Sequence, residues 1–540
     1  MSGVGSRSAR WAVSRVLAIA TLLLAGCGGD AGTGGEGGGT VIVGMRSDFS
    51  GINPVTNSSY YTTQIINYGL FTPLIQYDAD LEPEPWLAES WELHGDTGVT
   101  FRLRSDVTWH DGQPVTAHDV LFTFELAKDP ETASLLGTAF LADVASASVA
   151  DDHTISFRFA RPHAQALEDF WWPPLPRHLL QDVPALELTN APFNRQPVGS
   201  GPFRFGEWRA NERLVLVRNP DFPAALGGPA APERLVFRIV PEAGTLLTEL
   251  FTGGVHVDIP VLPEQVAQIE SNSSATLLSF PGTTVYFIGW NNEKPPFNDA
   301  RVRLAMAHAI DREEIIQALL HGQGEIATST IPPWSPVHPG DVRPPAFDRA
   351  RAGQLLGEAG WTDRNGDGIR ENAAGRPLTF TMMSSDDPLR RAVVEVLQNQ
   401  LRQAGANVDV RVMEFQTMLA AHKERNYDAV FTNWVLDNFQ VAGSAFSLFH
   451  SSQADVPLST NRSGTRSPAL DRLIERGARA TDPDAQRAAW REFTELVQRE
   501  QPVTFMFWLA ELAAVRDEVQ GVEMDPRGEL RTMARWTVSR

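Results

Sequence analysis

Three stretches of this 540-residue chain hold side chains able to do chemistry. His110 and His118 stand near Asp111 and Asp119, residue types that bind divalent metals. Asp363, Asn365 and Asp367 alternate ahead of Gly368, as in the first half of a calcium-binding loop. Gly199-Ser200-Gly201 invites comparison with the turn that presents a nucleophilic serine. Each stretch also has a plainer account. Gly112 suits a turn after His110-Asp111, and Thr116 with Asp119 three residues on is a helix cap, which accounts for all four metal-type residues. The calcium pattern would need Glu at its twelfth position, where Ala374 stands, so a turn rich in Asp, Asn and Gly is expected. If calcium does bind there, Asp363, Asn365, Asp367 and Glu371 are its candidate ligands, in a structural role. The serine lies in Val-Gly-Ser-Gly-Pro leading into a strand, not in Gly-x-Ser-x-Gly between strand and helix. No His-Glu-x-x-His, Walker A or Gly-x-Gly-x-x-Gly occurs either. Scattered acids could still pair as in a glycosidase, since distance in space is not visible in a sequence. The expectation is a protein that is not an enzyme and carries no cofactor.

The elements around these stretches indicate a large α/β protein. Thr40–Met45, Thr100–Arg104, Leu214–Arg218, Arg234–Val240, Gly282–Trp290, Leu378–Met382, Val408–Val412, Tyr427–Trp434 and Pro502–Trp508 read as strands. Between Trp290 and Leu320 a proline-rich turn leads into a helix with Val302, Ala305, Met306, Ala309 and Ile310 on one face. Asn298 or Asp299 can cap it, and Asp311 with Glu314 signals a second capped helix. Helices are also expected at 348–361, 388–404, 469–480 and 483–500. A chain of this length exceeds one core and divides into domains.

The net charge of −20 disfavours nucleic acid and anionic membrane surfaces as partners. The single cysteine, Cys27, rules out an intramolecular disulfide. It follows a basic start (Arg7, Arg10, Arg15), a short apolar run and Leu24-Ala25-Gly26, the layout of a secretory signal. Gly28–Gly39 then reads as a flexible tether.

Several segments, in order, resemble family 5 of the bacterial extracellular solute-binding proteins. The strongest is NNEKPPFNDARVRLAMAHAIDREEI, starting at Asn291. Asp106–Phe124 carries His-Asp-Gly and then Thr-Ala-x-Asp-Val. Val198–Phe203 and Arg218–Phe222 are similar to the family's GTGPY and RNPDY elements, and Asp348–Trp361 to its AxxLLxEAGW. Asn53-Pro54 matches a dipeptide that the family carries beside its ligand cleft, and LAGC resembles a lipobox, which implies lipidation of Cys27.

The resemblance implies a two-lobe periplasmic-binding-protein-like α/β fold of type II, cluster C, with an enlarged first lobe and two hinge crossings. The implied layout is a signal peptide at 1–26, the lipidated Cys and tether at 27–39, lobe I at 40–282, lobe II at 283–503 and a return to lobe I at 504–540. It further implies a receptor for an ABC importer, lipid-anchored outside the bacterial cell membrane and monomeric. Such a receptor delivers a small peptide or peptide-like solute to a permease and its ATPase subunits; nickel chelates and oligosaccharides are the alternatives. Peptide binders of the family place an Asp for the α-ammonium in Trp-x-x-Asp, matched by Trp434 and Asp437, although Asn438–Gly443 departs from the acidic-Pro element that follows it. Arg391 is the nearer match to a carboxylate-binding Arg of dipeptide binders. Trp290, Trp434 and Trp508 are candidate cleft walls.

Overall fold

The computed structural model describes residues 39–539 apart from 58, 133, 161–166, 437–440 and 457–458. Cys27 and Asp437 therefore lie outside the described residues. Among those described, eleven strands form one mixed sheet. Its order from one edge is Asn407–Met413, Thr379–Ser385, Ala429–Val435, Ala275–Trp290, Val503–Arg516, Val257–Asp258, Thr40–Met45, Arg234–Ile239, Arg213–Arg218 and Phe203–Arg209, with Gly324–Ile326 pairing against Val503–Arg516. A separate four-stranded antiparallel sheet holds Ala88–Leu93, Gly98–Leu103, Thr154–Phe159 and Val144–Asp151.

The two central strands set the architecture. Ala275–Trp290 and Val503–Arg516 pair antiparallel from Ala275↔Arg516 to Gly289↔Val503. Both are longer than their composition suggests: the sequence pattern starts the first at Gly282 and stops the second at Trp508. Ala510, Ala513 and Ala514 are weak strand formers by themselves, and it is pairing with Pro281, Leu278 and Leu277 that extends the second strand. The ladder slips between Pro281 and Val285 and again after Tyr286. Slips of this kind bend a strand locally.

Two sets of apolar side chains close over opposite ends of this pair. Ala513 and Val515 join a core drawn from residues 41–259 together with Val519, Leu530, Met533 and Trp536 of the tail. Val503, Phe505, Met506, Phe507 and Trp508 join cores drawn from residues 285–497. In the second set, Thr379–Ser385 and Asn407–Met413 run parallel, joined through helix Pro388–Gln403 in the usual βαβ manner.

The helices after Trp290 tie the returning strand down. Asp299 caps Ala300–His308, accepting from Arg301 N at 2.9 Å. Asp311 caps Arg312–Leu319, accepting from Glu314 N at 2.9 Å. The reciprocal bond of a capping box is replaced by Gln400, whose Oε1 accepts from Asp311 N (3.0 Å) and whose Nε2 donates to Glu314 (2.8 Å). Two buried guanidinium groups from these helices bond carbonyls. Arg303 Nε donates to Gln501 O at 2.8 Å and Arg312 Nε to Phe505 O at 2.8 Å. Burial pulls Arg312 down to about 10, so it keeps its charge at neutral pH.

The His110 turn is structural throughout. His110 Nδ1 accepts from Gly199 N at 3.0 Å while its Nε2–H donates to Gly201 O at 3.1 Å, which fixes a neutral tautomer. Asp111 pairs with His178 at 2.7 Å, His118 lies 3.6 Å from Asp152, and Asp119 accepts from Thr116 N at 2.8 Å. Gly199 must be glycine, because a Cβ there would lie 1.8 Å from Leu70 O. Loss of hydration pulls His110 from 6.5 down to about 4. The unfolded chain takes up a proton near 6.5 and the folded chain does not, so His110 contributes fully above that pH and its contribution is lost as pH falls from 6.5 toward 4. His110→Gln, which keeps one donor and one acceptor, is expected to remove roughly one proton of uptake on unfolding in this window. The dependence of urea midpoints on pH between 6.5 and 5 measures it.

Candidate ligand-binding cleft

The strand Val503–Arg516 is buried on either side of a partly open middle. Along Val503–Arg516 the open residues are Leu509, Ala510 and Glu511, opposite the slip at Pro281–Val285. Two cavities meet there. The first, about 360 Å³, is lined from one side by Tyr60, Ile66, Phe140, Trp171 and Trp172 and from the other by Thr283, Val435 and Leu436. That is the size and apolar character of a small-ligand site. Tyr60, Leu135 and Val435 remain 37%, 40% and 41% exposed, and all three line this one cavity. Large apolar groups left bare together mark a surface meant to be covered.

The second cavity, about 380 Å³, shares Tyr60, Thr283 and Val435 with the first. It adds Arg46, Tyr61, Tyr286, Asn433 and Glu511. Asn433 is held by Arg390, whose guanidinium donates to Asn433 Oδ1 and, at 2.9 Å, to Ser385 Oγ. The same guanidinium lies 5.9 Å from the centre of the Tyr286 ring and 5.5 Å from that of Phe415. Burial raises the Tyr286 phenol, with Arg390 pulling it back. Burial, and for Glu511 the neighbouring Glu529 charge, push both carboxyls above their ordinary range.

The side chains singled out in the sequence are distributed unevenly around this cleft. Asn53 is fully buried, accepting from Val55 N and donating to Asn194 Oδ1, both at 2.9 Å; it shapes the turn that brings Pro54 and Asn57 to the cavity. Trp434 points away. Side chains alternate along a strand, so Asn433 and Val435 face the cleft while Trp434 packs behind and donates to Ser444 Oγ at 3.0 Å. Trp508 and Trp290 are core residues, 1% and 0% exposed. Arg391 is exposed on its helix, one position out of phase with the buried Arg390.

Asp363, Asp367 and Glu371 bring one carboxylate oxygen each to within 4.8 Å of one another. These groups also close their own turn. Asp363 accepts from Gly366 N and Gly368 N, Asn365 Oδ1 from Asp367 N, Asp367 from Ile369 N, and Glu371 from Arg364 N.

Arg46, Tyr60 and Glu511 were not singled out from the sequence. Glu511 did carry a signal, as the one charge in an otherwise apolar run from Val503 to Val515.

The phase difference between the two arginines has a measurable consequence. Arg390→Ala leaves Asn433 and Ser385 without their charged donor and is expected to cost about 2–3 kcal/mol. Arg391→Ala is expected to stay within about 0.5 kcal/mol of the parent. Chemical denaturation of the two variants side by side checks both values.

Residues 82–455 match the profile for "Bacterial extracellular solute-binding proteins, family 5 Middle". The chain is 26% identical to the oligopeptide-binding protein AppA of Bacillus subtilis over 546 residues, covering 97% of this chain and 98% of AppA. The solved structure of that AppA in complex with a nonapeptide superposes with a TM-score of 0.76, at 26% identity, over 93% of this chain and 99% of that one. The NikZ structure from Campylobacter jejuni, in complex with Ni(L-His), superposes with a TM-score of 0.75 over 92% of this chain and 99% of that one; at 22% identity it speaks for the fold. The fold is thus the two-lobe periplasmic-binding fold, and the chain belongs to the bacterial extracellular solute-binding proteins of family 5.

Proposed function

We propose that this chain is a lipid-anchored receptor that captures a peptide-like solute between its lobes and hands it to an ABC permease served by ATPase subunits. The observation that carries this reading is the composition of the cleft. An aromatic and aliphatic cavity runs into one that offers a guanidinium and a carboxylate. Apolar walls with a few fixed charges suit a zwitterion with apolar side chains. The name of the Bacillus relative, an oligopeptide-binding protein, is in line with it.

Within this reading the α-ammonium falls to Asp437, which follows directly on the cavity-lining Val435 and Leu436. The carboxylate falls to Arg46, which lines the cavity, and not to Arg391, which does not. Closure of the lobes over the ligand excludes water and strengthens both contacts. Nothing in this role calls for bond breaking. The chain acts as a monomer, held to the outer side of the cell membrane through Cys27 and the glycine-rich tether.

A thermal-unfolding screen of the purified chain tests the solute. Di- to pentapeptides are expected to raise the unfolding temperature; a ligand at a hundred times its Kd adds about 2.7 kcal/mol. Asp437→Ala is expected to abolish the shift. A shift only with nickel–histidine or cello-oligosaccharides keeps the receptor role and replaces the solute. Turnover without any shift would indicate a hydrolase instead. For the anchor, Cys27→Ser is expected to move the chain from the membrane fraction to the soluble extracytoplasmic fraction, read by immunoblot.

A further inference from the structure

With the α-ammonium assigned to Asp437, the one carboxylate that lines the second cavity has no specific partner on the solute. Glu511 lines the second cavity from the open middle of the returning strand. The crossing strand makes room for it: at Gly282 a Cβ would lie 2.8 Å from Glu511 Oε1 and 2.6 Å from Leu509 O. A second carboxyl, Glu529, is fully buried and close enough for its charge to act on Glu511. Glu529 Oε2 accepts from Gln64 Nε2 at 2.6 Å, and Gln64 in turn accepts from Leu530 N at 2.8 Å. The Tyr60 and Tyr61 phenols are further hydrogen-bonding neighbours of Glu529. The phenols of Tyr60 and Tyr61 feel both carboxylates, and burial, followed by those two charges, raises them. All four groups therefore share one locale.

Among the described residues no cation pairs with these acids. Among the described residues neither Glu511 nor Glu529 forms an ion pair, although surface acids throughout the chain do. Arg46 lines the same cavity, but its charge acts on Asp258 and Tyr61. Burial and mutual repulsion without a counter-charge disfavour the charged forms of these two carboxyls, a penalty that an entering cation would relieve. The strand would accept an apolar residue at 511 at no cost to its pairing, since its neighbours are Ala510 and Leu512. The tyrosine rings add faces that attract a cation.

We propose that Glu511, backed by Glu529 and walled by Tyr60 and Tyr61, is the seat of a cationic side chain of the solute, an alkylammonium or a guanidinium, separate from the seat of its α-ammonium. The inference rests on the peptide-receptor reading and narrows it to solutes that carry a basic residue. The entering cation supplies the charge that the fold withholds, and its hydrogen bonds to the carboxylate are of the stronger, charge-assisted kind.

The test uses the purified full chain and an equimolar library of random tetrapeptides, offered with free and with acetylated α-amines. Retained peptides are separated by gel filtration and identified by mass spectrometry. The wild type is expected to retain peptides containing Lys or Arg about tenfold or more over neutral ones. In Glu511→Gln the ratio falls toward one. Should Glu511→Gln fail to fold by circular dichroism, Glu529→Gln takes its place, as it leaves the cavity lining intact. Persistence of the basic preference in the acetylated library supports a side-chain site; its disappearance there assigns the cation to the α-amine and overturns the proposal. Retention of peptides by the wild type without basic preference, or an unchanged preference in the variants, overturns it while the receptor reading stands. Retention of no peptide by any chain overturns that reading and this inference with it.

Discussion

The pairing of Ala275–Trp290 with Val503–Arg516 is the constraint on which the rest of this protein depends. Two strands that run the length of a mixed sheet would ordinarily be covered along their whole length. Here each end enters a different core, and along Val503–Arg516 the stretch between them is only partly covered. The middle must stay open, and the ladder slips there. The cleft is thus a consequence of how two cores share one pair of strands. Glu511, Tyr286 and Asn433, which line it, sit on or beside that pair.

Buried charge is handled in two ways on either side of this opening. Arg303 and Arg312 are withdrawn from water but aim at backbone carbonyls near the start of the returning strand. Those bonds engage the guanidinium groups and also fix where the strand begins, since the carbonyls belong to Gln501 and Phe505. Glu511 lies a few residues further along the same strand and forms no ion pair among the described residues. The contrast separates charges that complete the fold from a charge that the fold leaves open.

Local chemistry was legible in the sequence to the extent that it depended on neighbours in the chain. The caps at Thr116, Asp299 and Asp311 and the turn glycines needed only short-range information, and they stand where their spacing puts them. Gln400, which completes the Asp311 cap, comes from a distant helix and could not be read from spacing. The motif order was informative enough to indicate the family and, through it, two lobes. Side-chain direction was the weak point. Trp434 is one residue from two cleft-facing positions and faces the other way, and Arg391 is one residue from the arginine that supports the cleft wall. A shift of one position reverses a strand residue and turns a helix residue by about 100°. The length of the hinge strands was missed for a related reason, because alanines become strand only when a partner strand is already in place.

The way burial is divided along Val503–Arg516 also bears on how such a protein can change over generations. Residues near its ends are locked into cores, where most replacements would leave voids or clashes. Leu509, Ala510 and Glu511 touch the cavity and are only half covered, so substitution there alters what the cleft prefers while leaving both cores as they are. Selectivity and foldability are encoded in different letters of the same strand. A lineage can therefore explore new solutes through a few neighbouring codons while its scaffold stays constant.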